Sequence, residues 1–103
     1  MWAQLIKMRL KPGHDTAELD KEIRASEQPG SGLVRSLIML DQADPAAVYA
    51  LAVFESEEKA RAREQDPRRQ ERLQAARAIM ADIFEGPPQF TDLTVVGEWT
   101  DEG

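Results

Sequence analysis

Read for the alternation of apolar and polar positions, the chain opens with a strand. Across residues 2–10, Trp2, Ile6, Met8 and Leu10 fall on one face with Gln4 among them; the other face holds Ala3 and Leu5, then Lys7 and Arg9. Pro12-Gly13 ends the run. Asp15 followed by Glu18 has the form of a capping box and predicts a helix over 15–27, with Leu19 and Ile23 one turn apart and Pro29-Gly30 as its stop. Two apolar runs follow, LVRSLIML (33–40) and AAVYALAVF (46–54), separated by Asp41 to Pro45, which is the chemistry of a hairpin turn. Both runs are apolar on both faces. Leu33, Leu37 and Met39 oppose Val34, Ile38 and Leu40; Tyr49, Leu51 and Val53 oppose Val48, Ala50, Ala52 and Phe54. A sheet with one face in water would alternate more cleanly, so each side needs a cover.

Beyond the hairpin the period changes. Ser56 is a good N-cap for EEKARARE (57–64). Asp66-Pro67 starts another helix, predicted over 67–84, with Leu73, Ala76, Met80 and Ile83 in one stripe and Ile79 and Phe84 beside it. Gly86 and Pro87-Pro88 close that helix. A last strand is predicted over 89–99, with Phe90, Thr94 and Val96 on one face and Leu93, Val95 and Trp99 on the other, before a frayed tail at 100–103.

The order β-α-β-β-α-α-β, with the two later helices acting as one crossover, predicts an α+β fold. It is the ferredoxin-like, split βαβ arrangement, a four-stranded antiparallel sheet with helices on one face. The second sheet face is apolar too. Its simplest cover is the same face of another copy, so a homodimer through the sheet is expected. At 103 residues the chain is read as a single domain.

Composition narrows the chemistry. The absence of cysteine excludes disulfides, thiolate-bound metals and thiol nucleophiles. MWAQLIKMRLKPG is too short and too charged for a leader, and no apolar run approaches the ~20 residues of a membrane span. A cytoplasmic protein without a membrane partner is expected. The net charge of −6 is concentrated at the C-terminus, where the last nineteen residues carry five acids and no base. Nucleic-acid binding rests on clustered cations, so that partner class is not expected either.

Four places carry a likeness to a known family: LKPG (10–13) ending the first strand, PGSG (29–32) before the second, FESEEKARARE (54–64) where the third strand runs into a helix, and a Val-rich last strand. With them the chain resembles the dimeric α/β-barrel superfamily, nearest its antibiotic biosynthesis monooxygenase (ABM) branch, over nearly its whole length. The resemblance implies two subunits forming a barrel, and an activity such as cofactor-independent oxygenation of polyketide quinones. Haem-degrading members of similar layout use an Asn, a Trp and a His where this chain has Ile6, Arg63 and approximately Arg72. Haem is therefore not expected, and no cofactor or metal is called for.

Five residues are candidates for a site. His14 is the single histidine, and histidine as a residue type, with a reference pKa near ~6.5, suits a general base; the structural reading is a solvated turn residue. Tyr49 lies in an apolar strand and needs a hydrogen-bond partner, which a ligand or the sheet edge would supply. His14 and Tyr49 are the catalytic candidates. Gln4, Arg35 and Trp99 are the substrate-binding candidates. Gln4 is a polar group on an apolar face. Arg35 would meet a substrate anion or a carboxylate across the dimer, such as Asp92. Trp99, with Trp2, would stack on a planar ligand or plug the barrel end. The arginines at 61, 63, 68, 69, 72 and 77 alternate with glutamates and read as a solvated surface.

There is no nucleophile elbow, P-loop or dinucleotide fingerprint. Two readings remain. One is an ABM-type oxygenase acting without cofactor on a planar aromatic small molecule held between sheet and helices. The alternative is a non-catalytic dimer that binds a metabolite or a protein. An enzyme requires several polar groups converging on a cavity of about a few hundred Å³, whereas a structural dimer has a filled one.

Overall fold

The period-two alternation at the start becomes strand β1 (Trp2–Arg9), after which Leu10 makes a single bridge to Phe84. Then come α1 (Ala17–Ser26), β2 (Leu33–Leu40), β3 (Ala47–Phe54), α2 (Glu57–Glu64), α3 (Pro67–Ile83) and β4 (Gln89–Thr94). The computed structural model describes residues 1–26 and 30–101, with Glu22, Ile23, Ser26 and Arg72 described by backbone alone. The expected end of the first helix, at Glu27 with its stop at Pro29, and the final residues Glu102 and Gly103 of the expected tail lie outside the described residues.

The strands form one antiparallel sheet in the order β2-β3-β1-β4, whose edges β2 and β4 are not joined. This is the ferredoxin-like, split βαβ topology. One sheet face meets the helices. There Met8, Leu10, Val48 and Ala50 pack with Leu19 of α1, with Ile83 of α3 and with Phe84, and Ile6, Ile38, Ile79 and Met80 close around them. Leu19, Ile83 and Val48 are fully buried, each worth about 1.5–3 kcal/mol of apolar burial. A second, smaller core at the other end joins Trp2, Phe54 and Ala60, with Leu33 and Ala52 against them.

Among the described residues no helix lies on the opposite sheet face. In register across it run Leu5, Leu51 and Leu37, flanked by Ala3, Val53 and Leu93 toward one end and by Tyr49 and Met39 toward the other. Leu37, Met39 and Leu93 are each about two-fifths exposed, so the face is apolar and open to solvent in the single chain.

Helix starts follow local chemistry. Ser56 accepts from the Lys59 N–H at 3.1 Å, and Asp66 accepts from the Arg68 N–H at 2.9 Å with Pro67 in the first turn. At α1 the expected capping box does not form as drawn. Asp15 instead accepts from the Ala17 N–H at 2.9 Å, and the first helical bond runs from Asp20 to the Thr16 carbonyl, so the helix opens two residues later than predicted.

Two further expectations are corrected. A register shift between Leu33 and Arg35 turns Leu33 toward the helices, away from Leu37 and Met39, with which the simple alternation had grouped it. The last strand also ends at Thr94 rather than at residue 99. Thr94 pairs with Trp2 and Val95 donates to the Met1 carbonyl, and beyond that point no strand among the described residues pairs with the chain. Val96 and Trp99, 97% and 87% exposed, therefore stand clear of the sheet.

Candidate functional site

Because β2 is an edge strand, α1 and the helix-side face of β2 bound an open cleft of about 740 Å³. Its floor is apolar: Leu33 and Ile38 from β2, with Leu37 at the rim and Ala17 from α1. Its polar groups come from two directions. Ser36 rises from β2, in register with Ala52. Across from it lie Asp15 and Thr16 before α1, and Asp20 and Arg24 on it. Asp20 and Arg24 are one turn apart, and the Arg24 Nε donates to Asp20 at 2.8 Å on the exposed side of the helix. Asp15 is already engaged by the Ala17 N–H. The cleft thus offers a hydroxyl, a carboxylate and a guanidinium above an apolar floor, with a volume in the range of small-molecule sites. Such a set can hold a planar apolar ligand and hydrogen-bond an oxygen at its edge.

The five sequence candidates fall in four separate places. His14 is exposed in the turn after β1, where its N–H donates to the Lys11 carbonyl at 3.3 Å; it immediately precedes Asp15, at the end of the cleft. Tyr49 and Arg35 share the open sheet face. Tyr49 sits between Lys7 and Met39 in register, with the Lys7 ammonium 5.9 Å from its ring centre, and Arg35 is exposed opposite Val53. Trp99 is on the segment beyond β4, far more exposed than Trp2, which is buried against Phe54.

Gln4 faces the helices, and its amide donates to Asp92 at 3.2 Å. Asp92 in turn accepts from Arg61 at 3.0 Å, and the Arg61 guanidinium lies 5.1 Å over the Trp2 ring. That hydrogen bond to Asp92 raises the pKa of Arg61 further above its ordinary value. Asp92 is therefore matched within its own chain, by Arg61 and Gln4, and the exposed Arg35 needs no buried carboxylate. The arginine run is also more than a solvated surface, because Arg61 and Arg63 stack over Trp2 and Phe54, each at 5.1 Å, and lid the smaller core.

Ser36 was not singled out by the sequence, although it is the one hydroxyl in LVRSLIML and lies on the face that the helices cover. Asp20 and Arg24 carry no motif beyond a helical i,i+4 pair. Among the described residues no three His, Asp or Glu side chains gather as metal ligands, and no helix is long and apolar enough to cross a membrane.

No protein-family model and no curated protein sequence matches this chain. Solved structures do. A protein from Chloroflexus aurantiacus described as a candidate antibiotic biosynthesis monooxygenase is 23% identical, with a TM-score of 0.69 over 97% of this chain and 98% of its own. SnoaB, a cofactor-independent oxygenase from Streptomyces nogalater, is 14% identical, with a TM-score of 0.68 over 97% of each chain. A Nitrosomonas europaea protein of unknown function is 17% identical, with a TM-score of 0.72 over 99% of this chain and 95% of its own. The chain has the ferredoxin-like fold of the antibiotic biosynthesis monooxygenase proteins.

Proposed function

We propose that this protein is a homodimeric, ABM-type oxygenase that acts without cofactor on a planar aromatic small molecule. The observation that carries the reading is the cleft between α1 and β2, where Ser36, Asp20 and Arg24 converge over Leu33 and Ile38. SnoaB, with the same fold, is a cofactor-independent oxygenase, which supports this chemistry over others that the fold would hold. In the reaction a ring methylene loses its two hydrogens and gains one oxygen atom, while the second oxygen atom leaves as water. The four electrons taken from carbon are those that reduce O₂. The floor holds the ring system, and Arg24 and Ser36 stabilise the oxyanion that forms when the substrate loses its proton. The proton is assigned to His14, the exposed residue that precedes Asp15 of the cleft lining.

Tyr49 and Arg35 belong to the other face and are assigned to the contact between subunits, with Trp99. Among the described residues the strands of the open face carry Lys7, Arg9 and Arg35, of which Arg9 is already paired with Asp44 of the hairpin turn. The segment beyond β4 carries Val96, Glu98, Trp99 and Asp101. Apolar and acidic on one copy, apolar and basic on the other, the two surfaces are complementary, which supports a second copy of this chain as the cover.

Anthrone is a suitable probe, because oxygenation at its methylene yields the quinone. Oxygen uptake is expected above the rate without protein, with a product heavier by one oxygen and lighter by two hydrogens. His14→Gln should lower kcat by about a hundredfold. Arg24→Gln or Ser36→Ala should lower kcat/KM by about tenfold or more. Uptake no faster than the spontaneous reaction would end the oxygenase reading, and retained binding of the quinone would then favour the non-catalytic dimer.

A further inference from the structure

Val96 and Trp99 are the most exposed large apolar side chains of the described residues, and both follow the end of β4. The Trp99 ring lies over Gly97, where a Cβ would stand 3.7 Å from it, so positions 97 and 99 share one face. By the alternation of an extended chain, Val96 and Glu98 share the other. At the opposite edge of the sheet no strand among the described residues borders β2, and the cleft between α1 and β2 is open on that side. On β2 itself Arg35 belongs to the helix-free face and the next residue, Ser36, to the cleft. Arg35 and Glu98 are both exposed, and among the described residues neither has an ion-pair partner.

We propose, on the basis of the homodimer and cleft assigned above, that Trp99 of each chain walls the cleft of the other beside Ser36, with Glu98 set against Arg35. Thr94, Trp2, Phe54 and Leu33 lie in one row across the sheet, so the end of β4 and the start of β2 are at the same end of the strands. A two-fold axis along the strands stacks β4 of one copy on β2 of the other with those ends together. Residues 95–99 span at most about 17 Å when extended, enough to cross the ~10 Å between packed sheets and lay Glu98 and Trp99 along the free edge of β2. An axis across the strands would carry the segment toward Lys7 and Arg9 instead, but Lys7 lies against Tyr49 and Arg9 pairs with Asp44. Arg35 is the base of this face that an incoming acid meets unpaired. With Glu98 on the side of Arg35, the alternation turns Trp99 to the side of Ser36. An indole there closes the open edge and gives a planar ring a flat surface to stack on.

The chain has no cysteine, so introduced thiols report a single contact. Arg35→Cys and Glu98→Cys chains, refolded together and oxidised, are expected to give a covalent pair containing one of each, which neither variant forms alone. No mixed pair, from protein that light scattering shows to be dimeric, overturns the placement and leaves the oxygenase reading standing. The wall has a separate test in the binding of anthraquinone-2-sulfonate, followed by calorimetry. Trp99→Ala, and the double variant Arg24→Gln with Ser36→Ala, should each bind at least about tenfold more weakly than the wild type. When the two are refolded together in equal amounts, half of the dimers are mixed, and each of those has one cleft with both parts intact. About one site of wild-type affinity per four chains should therefore return. Circular dichroism identifies any variant that fails to fold, and the mixture, which needs both chains folded, is read against it. No regained site would show that Trp99 does not act across the pair. A cross-linked pair without oxygen uptake would end the oxygenase reading and leave the shared wall.

Discussion

Single side chains in this protein act mainly by ion pairing at the ends of elements. Arg9 shows how far one such pair reaches, because it ties β1 to the hairpin turn through Asp44 at 3.0 Å and approaches Glu85 beyond α3 at 3.9 Å. The hydrogen bond from Arg9, together with that from the Ala46 N–H, holds the Asp44 carboxyl below the ordinary aspartate value of 3.8. A carboxyl that ionises more readily in the folded chain stabilises it above the ordinary pKa, and the contribution disappears as the pH falls through the lowered value. In a carboxyl NMR titration Asp44 should therefore show a midpoint below that of a free aspartate, and Arg9→Gln should move it upward. An Asp44 midpoint indifferent to Arg9 would show the pair to be idle in solution. The pair is exposed, so its effect on overall stability is small.

At the scale of elements, the start of β2 is the most constrained stretch. Gly32 has φ +83°, and a Cβ there would stand 2.8 Å from the Lys59 Cβ and 2.9 Å from its Cδ. Gly13 has the same φ but open space around it. Gly13→Ala therefore measures the backbone cost alone, about 1–2 kcal/mol, and Gly32→Ala should exceed it by roughly a further 1 kcal/mol in thermal or urea unfolding. Equal losses would mean that Lys59 moves aside freely.

The elements themselves were largely legible in the sequence. Period-two alternation marked β1, continuous apolar runs on either side of a turn marked β2 and β3, and Ser56, Asp66-Pro67 and Gly86 punctuated the helices correctly. The shift that turns Leu33 inward was not, because Leu33-Val34-Arg35 contains no glycine or proline to announce a bulge. Nor was the end of β4, because a strand lasts only as long as its neighbour and Val95-Val96 looks as β-forming as Leu93-Thr94. The cleft was the least legible feature. It combines helix-start and helix-surface residues of α1 with one serine of β2, and each has an ordinary local role until the fold sets them opposite one another.

For the whole molecule, the deciding surface is the helix-free side of the sheet. Leu51 lies at its centre between Leu5 and Leu37. Light scattering at micromolar protein is expected to give the mass of two chains. Leu51→Glu should give one chain, since a charge buried in an apolar seam costs several kcal/mol. Removal of the residues after Thr94 should weaken the pair without abolishing it, because the central apolar rows remain. A wild-type protein that stays single at high concentration would remove the second copy as the cover.

If the helix-free side is sheltered only in company, integrity and association become a single equilibrium. Dilution then acts as a mild denaturant. A flaw under the helices, far from the seam, loosens the union of the subunits, and an intact companion steadies a weakened one.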